Sequence, residues 1–351
     1  MFLLENYTVA VLFCVVTMLC WGSWGNTQKA AGKTWRFELF YWDYVLGVLL
    51  MSLAFAFTLG SHGTLGRGFC SDLAQASPEA WGWALAGGVV FNIANILLVA
   101  AIAIAGMSVA FPVGIGLALV LGVLLNYMAD QSGNAALLFS GVGLVTVAIL
   151  LNAAAYGKLP VGEQAGSGKK KGIVLAVACG ILMSLFYYFV ANSLAKVTCG
   201  DETLPLTAAT LSREGAVLQA GLLTPYTANT VFALGVLLST FLVLPILMRR
   251  PIVGEPVACG AYFRGTCRDH LWGIVGGAIW AVGMTLNVVA AGVASPAVSY
   301  GLGQGATLIA AIWGVFIWRE FKAAPTGTGK ILAAMFLCFL AGLTLIIWTK
   351  L

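Results

Sequence analysis

Asn92 and Asn95 stand three residues apart in a stretch otherwise built almost wholly of Ala, Gly, Val, Ile, Leu and Phe. On a helix that spacing puts both amides on one face, and an amide offers donors and an acceptor together. Asn192, Asn287, Tyr300 and Gln304 repeat the theme, each a polar side chain set in an apolar run. Groups that both donate and accept, in surroundings that penalise pointing at lipid, suit a neutral solute rich in hydroxyls or urea units. The competing reading of each is an interhelical hydrogen bond, a common and weakly stabilising use of such residues. Trp21 and Trp24, in CWGSWGNTQK, offer flat faces for stacking on a sugar ring or planar urea, or else belong to an interfacial aromatic belt. Asn26, Thr27 and Gln28 mark the end of that helix.

Two carboxylates bear on ion coupling and gating. Asp43 lies inside an apolar stretch, where a buried carboxyl can exchange a proton near neutral pH. Its structural alternative is a pair with Lys29, Lys33 or Arg36. Glu320, beside Arg319, reads as a helix-end or gate ion pair. Nothing calls for a cofactor. His62 and His270 are far apart, so no metal site is expected. The Gly- and Pro-rich runs around Pro112 and Pro296 lack GxxxxGK[ST], so they permit close packing rather than phosphate binding. Clustered catalytic residues and repeated filter segments are also missing, which argues against an enzyme and a channel.

These groups must be carried by membrane helices. Of 351 residues, 60% are apolar and 9% charged, too little polar surface for a water-facing fold of this size. A net charge of +5 carried in short loops argues against nucleic acid. Ten segments are long and apolar enough to cross a bilayer: 7–27, 38–59, 81–103, 107–128, 135–155, 172–195, 226–248, 271–292, 296–318 and 329–349. Continuous rather than alternating hydrophobicity makes them helices. The first has no basic flank ahead of it and reads as a retained span. Of the 18 Lys and Arg residues, fourteen fall in loops after spans one, five, seven and nine; Arg67, Lys196, Arg213 and Lys350 fall on the other side. The excess of positive charge marks the cytoplasm, so both termini are expected outside. Cys70 and Cys199 share that side, and whether they pair is left open.

An internal repeat organises the chain. LGVLL occurs at 46–50 and again at 234–238, 188 residues later. At an offset of 189, Trp83, Gly87, Gly88 and Val109 fall on Trp272, Gly276, Gly277 and Val298. Five spans, an odd number, separate equivalent positions, so the halves are inverted. The expected fold is all-α, with ten transmembrane helices in a 5+5 inverted repeat: residues 1–155, a cytoplasmic linker 156–171, and 172–351 with an external insertion 197–225. Within that insertion Thr207–Leu222 is expected to form an amphipathic helix or lid. Such repeats hold their substrate near the midplane and alternate its access.

The residues AGGVV at 86–90, Asn95, GMSV at 106–109, Asn126-Tyr127, Asp130, LFSGVG at 138–143 and Asp43-Tyr44 resemble the pattern of plant ureide permeases. Trp313-Gly314 followed by Arg319-Glu320-Phe321-Lys322 resembles the usual end of span nine in the drug/metabolite transporter superfamily, which also holds bacterial glucose/ribose porters and rhamnose transporters. The resemblance spans essentially the whole chain and implies a secondary transporter of small polar metabolites, although the 156–171 linker lacks the nucleotide-loop-like sequence of the plant proteins. The leading expectation is a proton-coupled importer of a monosaccharide or nucleoside-derived sugar. The alternative is a ureide or nucleobase-breakdown permease, with export of drugs or metabolites ranked below. Trp24, Asn92, Asn95, Asn192, Asn287, Tyr300 and Gln304 are the expected substrate ligands, and Asp43 and Glu320 the coupling or gate residues. The partners are the solute, protons as candidate coupling ion, and the lipid of the cell membrane (the inner membrane in a bacterium). One chain holds both halves, compatible with a monomer or a homodimer.

Overall fold

Ten helices of the computed structural model, which describes residues 1–32, 35–159, 169–251 and 254–351, are long and apolar enough to cross a bilayer. Spans one to ten are Tyr7–Ala31, Phe37–Phe57, Pro78–Ala105, Val109–Ala129, Ala135–Tyr156, Lys170–Ser193, Pro225–Arg249, Cys267–Ala294, Pro296–Ile317 and Thr328–Trp348. The chain is 75% helical and is an integral membrane protein. Lys33 and residues 160–168 of the expected linker lie outside the described residues.

Local sequence explains where the spans begin. Span three opens on Pro78 behind Ser77, whose hydroxyl accepts the Ala80 amide, and span eight opens on a reciprocal Thr266–Asp269 capping box. Both end on a residue at positive φ, Gly106 at +80° and Ser295 at +78°, before the chain re-enters a helix. These positions are 189 residues apart. Ser295 therefore holds a backbone conformation that normally requires glycine.

The packing has the same spacing. A Cβ on Gly88 would overlap the Phe232 carbonyl, and one on Gly277 the Tyr44 carbonyl; Gly235 meets Leu85 as Gly47 meets Ile274. Each second contact is the first with its members exchanged and moved by 188 or 189 residues. Spans three and seven, and eight and two, thus approach backbone to backbone, which only glycine permits. Span six packs on three and four as span one packs on eight and nine, and five pairs with ten.

The ends of the bundle differ. One carries both termini and the insertion, where β1 (Val197–Cys199), β2 (Glu202–Leu204) and β3 (Ala216–Leu218) form an antiparallel sheet of order β2-β1-β3. The helix expected over Thr207–Leu222 is reduced to Ala208–Leu211, because Gly215 at φ +73° turns the chain back to pair with β1. The Ala208 amide donates to the Leu4 carbonyl, 3.1 Å, so this insertion caps the termini end. Beside it the Arg67 guanidinium bonds the fully buried Asp72 at 2.9 Å and the Gln219 and Leu222 carbonyls, while Asp72 accepts the Thr224 amide and hydroxyl. Cys70 and Cys199 are free thiols, Cys70 exposed. At the opposite, basic-loop end lie Lys29, Arg36, Arg249 and Arg319.

Candidate functional site

A cavity of about 340 Å³ lies among spans one, three, four, six, eight and nine, within the range of small-molecule sites. Its polar lining is Asn95, Gln304, Gln28 and Thr307; its aromatic lining includes Trp21, Trp24, Phe91, Phe186 and Trp280. Among the described residues, no charged side chain lines it.

The aromatic layer is packed ring on ring. Trp21 stacks on Trp280 with centroids 5.8 Å apart and planes 13° apart, and its indole N–H donates to the Trp280 carbonyl. Phe91 lies 4.5 Å from Trp280. Towards the termini end, Tyr187 and Tyr300 pack at 5.3 Å, both fully buried. The cavity instead extends towards the basic-loop end, through Gly25, Gln28 and Ala310.

A chain of hydrogen bonds fixes which end of the Asn95 amide faces the cavity. The Ser239 and Thr240 hydroxyls give their protons to backbone carbonyls of span seven, which only accept. They must then receive the Asn92 amide N–H groups, at 2.8 and 3.1 Å. The Asn92 carbonyl oxygen takes the Tyr41 hydroxyl proton at 2.8 Å, and the Tyr41 oxygen accepts from Asn95 Nδ2 at 3.2 Å. Asn95 Oδ1 is left as an acceptor for a solute N–H or O–H.

Of the residues singled out from sequence, Trp24, Asn95 and Gln304 border the cavity. Asn92 does not: it is the buried second member of the chain just described. Asn287 is fully buried with Nδ2 on the Ser299 carbonyl at 2.9 Å, and Tyr300 spends its hydroxyl on the Ala118 and Met183 carbonyls. Asn192 is exposed and bonds the Tyr188 carbonyl of its own helix. Packing rather than spacing removes these four from the cavity surface. Sequence reading passed over Gln28, as a helix end, and Trp280, although a Trp in mid-span cannot belong to an interfacial belt.

Asp43 is buried and lies away from the cavity. Its carboxylate accepts the Tyr262 hydroxyl and sits 2.9 Å from His270 Nδ1, rather than pairing with Lys29 or Arg36. Trp35 packs edge-on against the same imidazole, 5.1 Å between centroids. Tyr262, in the turn before span eight, has its phenol pushed well above the usual range by burial and then by the Asp43 carboxylate. Glu320 lies at the end of span nine, where the π-helical turn Trp313–Ile317 and Arg319 at φ +52° fold it back towards span five. It pairs with Lys29 at 3.1 Å and accepts the Tyr156 hydroxyl at 2.6 Å.

Ten membrane helices around an uncharged, amide-bearing cavity have the architecture of a membrane transporter. The likeness to known proteins is narrower: the family model described as Ureide permease matches residues 40–159, spans two to five. Ureide permease 4 of Arabidopsis thaliana is 23% identical over 99% of this chain and 98% of its own length, and ureide permease 2 of the same plant is 30% identical over 44% and 40%. A solved structure, titled only "Crystal structure of protein", matches 97% of this chain and 96% of its own with a TM-score of 0.55 at 15% identity, a likeness of fold. The chain is a ureide permease-like membrane transporter.

Proposed function

We propose that this protein carries a neutral ureide, a molecule of the allantoin type, through the cavity between spans one, three, four, six, eight and nine. The observation that carries this reading is the outward-held Asn95 carbonyl oxygen in a cavity lined by aromatic rings and uncharged amides. A urea unit is flat, so it stacks, and it presents N–H donors to Asn95 with a carbonyl left for Gln28 or Gln304. A monosaccharide, the leading expectation from sequence, carries hydroxyls all round its ring and would leave several unpaired against Phe91, Phe186 and Trp280. The likeness to ureide permeases supports the ureide over the sugar.

Access alternates between the two ends in this reading. The glycine contacts exchanged at a constant offset, and the matching turns at Gly106 and Ser295, support halves 1–155 and 172–351 related as a 5+5 inverted repeat. The basic end is cytoplasmic and both termini are outside, as the distribution of Lys and Arg supports. Asp43 and Glu320 act at the cytoplasmic end, Glu320 as a gate ion pair and Asp43 as the residue through which a proton gradient would act.

The test is uptake into proteoliposomes of labelled allantoin, uracil, a nucleoside and a monosaccharide, each with and without an inward proton gradient. Saturable allantoin uptake is expected to exceed sugar uptake, with KM raised in Asn95→Ala and Gln304→Ala. Sugar uptake above allantoin, or an unchanged KM in both variants, overturns the reading.

A further inference from the structure

A second cavity, of about 220 Å³, lies between the first and the basic-loop end, bordered by Asn152, Tyr156, Lys29, Glu320, Trp313 and Trp318. It meets the larger cavity at Gly22, Gly25, Phe111 and Ala310, which border both. Most of its polar groups are engaged with one another. Asn26 accepts the Trp318 indole N–H at 2.7 Å, the Lys29 ammonium stands 4.7 Å over the Trp318 ring, and Glu320 is held by Lys29 and Tyr156. Asn152 is different. Only 8% exposed, it has a buried Oδ1 that accepts no hydrogen bond from any described residue.

A buried amide oxygen without a partner is costly, and such groups in native proteins are usually met by something that binds. We propose that this cavity is a second binding site for a planar urea-type solute, held by Asn152 and the Lys29–Glu320 pair on its way to or from the main cavity. The opposite charges of that pair leave the site without net charge, which favours a neutral ligand carrying both donors and acceptors. Its N–H groups would meet Asn152 Oδ1 and the Glu320 carboxylate, its carbonyl oxygen the Lys29 ammonium, and its face the Trp313 and Trp318 rings, whose centroids are 6.4 Å apart. Gly314 makes the arrangement possible: a Cβ there would come within 2.9 Å of the Tyr156 hydroxyl and 3.0 Å of Glu320 Oε2.

This inference rests on the ureide reading, and equilibrium binding separates the two. Labelled allantoin is titrated onto the purified full chain in lipid nanodiscs, and bound molecules per chain are counted for wild type, Asn152→Val and Asn95→Ala. Two sites are expected in the wild type, with Asn152→Val and Asn95→Ala each losing a different one. Glu320→Gln, which leaves Asn152 in place, is expected to weaken the same site as Asn152→Val and serves if that variant does not fold. A single site lost in Asn95→Ala and unaffected by Asn152→Val and Glu320→Gln overturns the second site and leaves the proposed function standing. A single site lost in Asn152→Val and kept in Asn95→Ala supports the second site and overturns the main cavity as the place of binding. No saturable binding of allantoin overturns both.

Discussion

Tyr41→Phe removes one oxygen from the middle of the chain that orients Asn95. Two hydrogen bonds go, at 2.8 Å to Asn92 and 3.2 Å from Asn95, and the fully buried Asn92 keeps a carbonyl with no donor. An unpaired buried acceptor costs about 1–3 kcal/mol of stability. Freed from Tyr41, the Asn95 amide turns over and presents N–H and C=O in alternation, so a solute N–H loses an acceptor that was fixed in advance. One hydrogen bond at about 0.5–1.5 kcal/mol corresponds to roughly a 2- to 12-fold rise in KM. Tyr44→Phe is the control, because its hydroxyl, one helical turn along the same span, is buried with no hydrogen-bond partner among the described residues. Its loss is expected to be neutral or stabilising, although the atoms removed are the same. The assay is allantoin uptake with thermal unfolding in detergent for both variants. If Tyr41→Phe matches Tyr44→Phe in both KM and melting temperature, the chain from span seven to Asn95 does not orient the site.

Gly88→Ala and Gly277→Ala each drive a Cβ into a facing backbone carbonyl that cannot rotate away, so each should cost about 1–3 kcal/mol or more, whereas Gly82→Ala, with open space around it, should leave the melting temperature unchanged. Arg67→Met strips the buried Asp72 of its cation and should cost about 3–5 kcal/mol, read as lost thermal stability. A membrane-impermeant thiol reagent on intact cells should label the exposed Cys70 and spare the exposed Cys259 and Cys267; the opposite pattern reverses the orientation. Asp43→Asn should lower the transport rate with little change in KM, since Asp43 does not border the cavity, and accumulation against a gradient that survives the substitution would remove it from coupling.

Ten spans were legible because lipid imposes long apolar runs that composition alone exposes. The offset between the two LGVLL runs was legible too, and its physical content is the Gly47 and Gly235 contacts, where a missing side chain lets two backbones touch. The site was only partly legible. Spacing put Asn92 and Asn95 on one face, yet Tyr41, from another span, decides which of them points inwards, and no periodicity in span three carries that information. The partner of Asp43 was missed for a similar reason: His270 is 227 residues away, brought near by the packing of spans two and eight. Asn152 drew no notice because its significance is the lack of a partner, which exists only once every neighbour is placed.

The close glycine contacts also constrain how the molecule can move. Spans two and eight, and three and seven, meet through backbone atoms, and a backbone contact has no rotamer by which one helix can slip past the other. Those four spans are therefore the frame. The walls that border the cavity from outside it are irregular where they reach it: span four carries the π-helical turn Pro112–Gly116, with Ile115 on the cavity, and span nine is interrupted at Gln304, also on the cavity. Breaks of this kind are where helices bend. Closing the basic-loop end and opening the other then requires bending at Ile115 and Gln304 and release of the Arg67–Asp72 tie, with the frame preserved. The same residues that touch the solute sit at the bends, so occupancy of the cavity and the angle of its walls are coupled through Gln304 itself.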